Sequence, residues 1–123
     1  MKIVSCLALL SMIIFGPARA QEYERGTALL CDTQRQVERY VALFNGDEQS
    51  ALNAVNTEEQ NPNACAFATV SFMRGPDLGT ARNKENAFKI ARVLVVGVKT
   101  PSGMHSVRPS AYFSAFQVVE YDV

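Results

Sequence analysis

Phe88-Lys89-Ile90-Ala91-Arg92-Val93-Leu94-Val95-Val96-Gly97-Val98 is the most strongly patterned stretch of this 123-residue chain, β-branched at its centre and poor in helix formers. It reads as a central β-strand. Side chains alternate faces along a strand, so Phe88, Ile90, Leu94, Val96 and Val98 share one face and Ala91, Val93 and Val95 share the other. A strand that is apolar on both faces needs neighbours at its edges and a second layer above it. The rest of the chain can be read as supplying them.

Working outward toward the N-terminus, Cys65 to Met73 is rich in Phe, Val, Thr and Ala, and Arg74-Gly75-Pro76 is expected to stop it. The polar stretch Asp77 to Asn86 then reads as a long hairpin loop. Before it, Thr33-Gln34-Arg35-Gln36 has the form of a capping box, and Val37, Tyr40, Val41 and Phe44 recur on one helical face. That spacing predicts a helix over 34–44, ended by a left-handed cap at Asn45-Gly46. Asp47 caps a second helix with a thinner apolar stripe of Ala51, Leu52 and Val55, expected to pack beside the first. Thr27 to Cys31 is a short strand behind a polar, frayed start at Gln21 to Gly26.

Beyond the central strand, Thr100-Pro101-Ser102-Gly103 signals a turn, and a polar connection leads past Pro109 to a last strand from Tyr112 to Tyr121. On that strand Phe113, Ala115, Val119 and Tyr121 share one face, and Tyr112, Phe116 and Val118 the other. The order strand, helix, helix, strand, strand, strand, with short connections at the end, predicts an α+β fold. Its sheet is antiparallel, of three to four strands, with one or two helices inserted after the first. The competing architecture is a partly open, SH3-like barrel carrying the same helical insertion.

Lys2, the apolar run Ile3 to Phe15, a Gly16-Pro17 break and Ala18-Arg19-Ala20 have the three-part build of a secretory signal peptide. The run is shorter than the roughly 20 residues of a spanning helix, so residues 1–20 are expected to be removed, with no transmembrane anchor after processing. Residues 21–123 then form one compact domain that is periplasmic or secreted. Without Lys2 and Arg19 that domain has ten basic and twelve acidic residues, which argues against a nucleic-acid partner. It retains two cysteines, Cys31 and Cys65, and an exported chain with two cysteines most simply pairs them. A reactive thiol or metal ligand is the alternative, but neither has a second cysteine or a histidine at ligand spacing, and no metal site or cofactor is expected.

No coherent catalytic set emerges. His105 is the only histidine, flanked by Ser102 and Ser106, yet nothing there has the spacing of an oriented triad or a nucleophile elbow. Gly75-Pro76-Asp77-Leu78-Gly79 lacks the Lys-Ser/Thr end of a phosphate loop. Tyr112, Phe113, Phe116 and Tyr121 fall on both strand faces, as packing residues do, rather than forming a stacking platform. A non-enzymatic binding domain is therefore expected, with another envelope protein as its partner; a small envelope hydrolase or redox protein is the least favoured alternative.

Charge gives the second binding hypothesis. Residues 21–63 carry net −5 and residues 74–108 net +5, the latter including Arg82, Lys84, Lys99 and Arg108, a possible surface for wall polymer or acidic lipid. The turns that hold these residues should lie at opposite ends of a strand about 35 Å long, which weakens a single-patch reading. Arg92 stands apart, because alternation puts it on the face of Phe88, Ile90 and Leu94. Either it is buried against a carboxylate such as Glu120, or that face is partly open and Arg92 reaches water. The open face is the expected reading, and it makes the surface around Arg92 the expected contact surface.

At Cys31-Asp32-Thr33, Gln36-Val37, Tyr40-Val41, Val55-Asn56, Ala64-Cys65 and Val93 to Gly97 the chain resembles uncharacterised small exported bacterial proteins with one disulfide. The resemblance implies export to the periplasm and one bridge. It carries no activity and no functional residue.

Overall fold

The computed structural model describes residues 23–118, so the leader-like segment 1–20 and the end of the last expected strand, with Val119, Glu120 and Tyr121, lie outside the described residues. Four strands and two helices follow in the order β1 (Glu24–Cys31), α1 (Gln34–Leu43), α2 (Glu48–Glu59), β2 (Cys65–Arg82), β3 (Ala87–Thr100) and β4 (Gly103–Gln117). All strand pairs are antiparallel, in the spatial order β1-β2-β3-β4, and both helices are inserted after β1. This is the expected α+β sheet of four strands; it is closed rather than partly open, because β1 and β4 meet at the single pair Cys31↔Phe113.

The capping box at the start of α1 is present: Thr33 Oγ1 accepts from Gln36 N at 3.2 Å, and Gln36 Oε1 accepts from Thr33 N and Asp32 N, both at 3.0 Å. The other end differs from expectation. Phe44 closes α1 in an extended conformation, and the left-handed residue is Gly46, with φ 104°, beyond the cap. Val41 O accepts from Phe44 N at 3.2 Å, and Asn83 completes this end, its Nδ2 donating to Val41 O at 2.8 Å and to Phe44 O at 2.9 Å. A residue of the β2–β3 turn thus does what a left-handed cap would have done locally. Asp47 caps α2 as read, accepting from Ser50 N.

Strand lengths depart furthest from the sequence reading. Arg74-Gly75-Pro76 does not end β2, which runs on to Arg82 with register shifts between Arg74 and Asp77 and between Asp77 and Gly79. Proline has no N–H for a ladder, and it is accommodated here in a bulge, on a part of β2 that β1, whose pairing ends at Glu24↔Phe72, no longer covers. Likewise β4 begins at Gly103, after the two-residue connection Pro101-Ser102, so the expected polar connection is strand. Pro109 falls between Ser106 and Ser110, where β4 is irregular opposite β3. Prolines at bulges on open edges discourage pairing with another chain. At the N-terminal end, β1 starts at Glu24, three residues before the expected strand, because β2 is long enough to pair with it.

The sheet's two faces carry separate cores. Leu29, Cys31, Cys65, Phe88 and Ile90 pack with Val37, Tyr40, Val41, Ala51, Leu52 and Val55 of the helices, so α2 does lie beside α1 over the sheet. On the other face Ala28, Val70, Phe72, Val93 and Val95 are buried with Leu30, Val98, Tyr112 and Phe116. That cluster contains no helical residue, so the sheet's own curl encloses it. Val98 joins Val93 and Val95 rather than Phe88 and Ile90, a correction to simple alternation. The ladder pairs Phe72 with Val95 but Ser71 with Gly97, and the extra residue Val96 flips every position after it.

Two groups in these cores make the packing testable. Ser114 is fully buried, and among the described residues its Oγ has no hydrogen-bond partner. A buried hydroxyl without a partner costs roughly 1–3 kcal/mol. Ser114→Ala is therefore expected to raise the free energy of unfolding by about 1 kcal/mol in urea denaturation; a clear loss would mean the hydroxyl is engaged.

Tyr40 is 3% exposed, its ring 5.8 Å from Phe44 and 5.9 Å from Phe67. Burial, then the carboxylates of Glu48 and Asp47, push its hydroxyl up to about 12. Unfolded tyrosine ionises near 10, so between these values the unfolded chain binds fewer protons and stability falls as pH rises, by up to about 1.4 kcal/mol per pH unit. Tyr40→Phe should remove that component of the decline between pH 10 and 12. An unchanged alkaline slope would place the ring in water.

Candidate functional site

The helices cover only part of the sheet face they pack on. Along β3, Phe88 and Ile90 lie buried beneath them, whereas Arg92, next on that face, is exposed and Leu94 half-buried. Of the two arrangements open to Arg92 from sequence, the structure has the open face. Its cross-strand neighbour is Phe113, and the guanidinium lies 5.5 Å from the Phe113 ring centroid; Glu120 lies outside the described residues.

Beside it is a shallow groove of about 320 Å³, lined by Met73, Arg74, Gly75, Arg92, Val93, Leu94 and Ala111. The β2 bulge forms one wall. A Cβ at Gly75 would come within 3.1 Å of the Arg92 carbonyl oxygen, so glycine is what lets β2 approach β3 this closely. The other cations nearby are occupied: the Arg74 guanidinium sits 3.8 Å from the Phe116 ring centroid, and Asp77 accepts from Arg74 Nη2 at 3.4 Å and forms an ion pair with Lys89 Nζ, also at 3.4 Å. Arg92 has no carboxylate or hydrogen-bond partner among the described residues, and its guanidinium edge is free to donate.

The remaining cations of the contact-surface expectation are not brought together. Arg82 and Lys84 lie at the β2–β3 turn, Lys99 pairs with Met104 at the opposite end of β3, and Arg108 lies in the irregular part of β4. Along β3 the two ends are separated by about 40 Å of strand. Of the five cations of that expectation, Arg92 alone borders the groove, beside Arg74.

The Ser102 hydroxyl is 2.8 Å from His105 Nε2 and 3.1 Å from Thr100 Oγ1. All of this lies exposed on a two-residue turn, and among the described residues no carboxylate is hydrogen-bonded to the ring. A triad needs an oriented base, so this contact braces the hairpin rather than arming a serine. Cys31 and Cys65 are bridged, 0% and 1% exposed, with Cα atoms 4.1 Å apart. Gly75 to Gly79 belongs to a bulged strand rather than to a phosphate loop. Tyr112 and Phe116 pack in the strand-lined core and Phe113 on the helix side, as the alternation implied.

Between the helices, Arg39 makes two 2.8 Å bonds to Glu58, which hold that carboxyl below its usual range, and Gln36 Nε2 donates to Glu59 at 2.7 Å. Both partners of the first pair are exposed, so this is a tie between α1 and α2. Among the described residues there is no cluster of three or more His, Cys, Asp or Glu able to hold a metal ion, and no helix long and apolar enough to cross a membrane.

The groove was not visible in the sequence, because its wall comes from a Gly-Pro pair that reads as a strand terminator. A Gly-Pro followed within a few residues by further strand-compatible sequence is the signal for a bulge that was available. No protein-family model, curated protein or solved structure matches the chain.

Proposed function

We propose that this chain is an exported, non-enzymatic binding domain, periplasmic or secreted, that meets another envelope protein through the sheet face around Arg92. One observation carries the reading: the face that the helices bury at Phe88 and Ile90 continues beyond them through Arg92, which is exposed, and Leu94, which is half-buried. Export is supported by the buried Cys31–Cys65 bridge, which forms in oxidising compartments, and by the leader-like segment 1–20. An anionic wall polymer or acidic lipid is the less supported partner. Such a ligand would need the basic residues of 74–108 on one surface, and they are divided between opposite ends of β3.

A photo-crosslinking side chain placed at Leu94, in the cells this protein comes from, should give a discrete protein adduct. The same group at Lys84, on the β2–β3 turn, should not. Equal adducts from both positions, or none from Leu94, would overturn the assignment.

A further inference from the structure

We infer that the Arg92 groove takes an acidic side chain together with an adjacent apolar one, both from a single segment of the partner protein. This rests on the contact surface proposed above and names the chemistry of what covers it. Over Ile90 the helices supply an apolar lid; four residues along the same strand and face Leu94 is half-buried, as is Met73 paired with it on β2, and neither belongs to the cluster that the helices cover. The covering group there must be apolar for Leu94, Met73 and Ala111. It must also be anionic for Arg92, the cation at the groove without an acid of its own among the described residues.

The arrangement favours a carboxylate on a peptide over a polyanion. A guanidinium lying against an aromatic ring keeps its N–H edge free for the two parallel bonds that a carboxylate accepts. The volume, about 320 Å³, lies at the small end of ligand pockets and suits one or two side chains better than a cofactor.

The probe is N-acetyl-Leu-Glu-amide, titrated into the ¹⁵N-labelled mature protein to about 20 mM, because one ion pair and one buried side chain give millimolar affinity at best. Saturable shifts should centre on Arg92 Nε and on the amides of Met73, Leu94 and Ala111. Binding should weaken at least about tenfold in Arg92→Gln, with partial recovery in Arg92→Lys, which keeps the charge and loses the fork. Arg92 is exposed, so Arg92→Gln should leave the rest of the spectrum in place, which the same experiment verifies. N-acetyl-Leu-Gln-amide and N-acetyl-Gly-Glu-amide should each bind at least several-fold more weakly.

The inference is overturned if Leu-Gln matches Leu-Glu, if Gly-Glu matches it, if inorganic phosphate competes as well as the dipeptide, or if no shift at Arg92 saturates. An adduct from Leu94 with no Arg92-dependent dipeptide binding would leave the contact surface standing and remove the acid-plus-apolar chemistry. Dipeptide binding without an adduct would do the reverse.

Discussion

Replacing both Cys31 and Cys65 by alanine will lower the stability of the domain by about 3.5 to 4 kcal/mol, which for a chain of this size is a fall in Tm of roughly 15–30 °C. The bridge spans 34 residues and encloses both helices, so most of its effect lies in the freedom it removes from the unfolded chain. The native architecture should survive the loss. Cys31 and Cys65 are also direct partners at the end of an eight-pair ladder, Asp32 N donates to Ala64 O at 3.1 Å, and the Asn56 side chain holds both the N–H and the C=O of Cys65 at 2.9 Å. The variant should therefore show the same far-ultraviolet circular dichroism at low temperature and a displaced melt. Both sulfurs are buried, so reductant alone at neutral pH should act slowly on the wild type, and faster once denaturant opens the domain. A double variant melting within about 5 °C of the oxidised wild type would show that the ladder and the Asn56 clamp hold the helices unaided.

Features settled by neighbours in sequence were legible in advance. Thr33 and Gln36 find each other across three residues, and Asp47 finds Ser50. No distant contact is needed to decide either. The alternation that puts Arg92 opposite Val93 is equally local, and it holds in β3 up to the bulge at Val96. What failed was the reading of Gly and Pro. Gly75-Pro76 and Pro109 carry turn chemistry, but they lie in bulges whose existence depends on how β2 and β4 pair with β3, many residues away. Asn83 shows the same limit from the other side. Its place in a polar loop was evident, but not that its amide would complete the C-terminus of α1, about 40 residues earlier. The groove combines both difficulties. Arg92 could be placed on its face from alternation, whereas the β2 wall and the point at which the helices stop covering that face are tertiary facts.

That point can be located by two substitutions on one strand face. Ile90 is 1% exposed, in the cluster that holds Val37, Val41, Leu52 and Val55, and Ile90→Ala removes three carbons from a site with little room to collapse. The expected loss is about 3–4 kcal/mol, within the usual range for such core truncations and comparable to that of the bridge. Leu94→Ala, four residues on, removes the same number of carbons from a half-buried position at the groove, and should cost about 1 kcal/mol, since much of that surface is already in water. Urea denaturation of the two variants gives the comparison directly, and an unchanged m value would confirm that the unfolded reference is shared. The contrast bears on function as well as on folding. A leucine retained where it contributes little to the isolated domain is available to contribute to a complex, whereas a Leu94→Ala loss equal to that of Ile90→Ala would mean that the face is closed in the free protein and that the contact surface must be sought elsewhere.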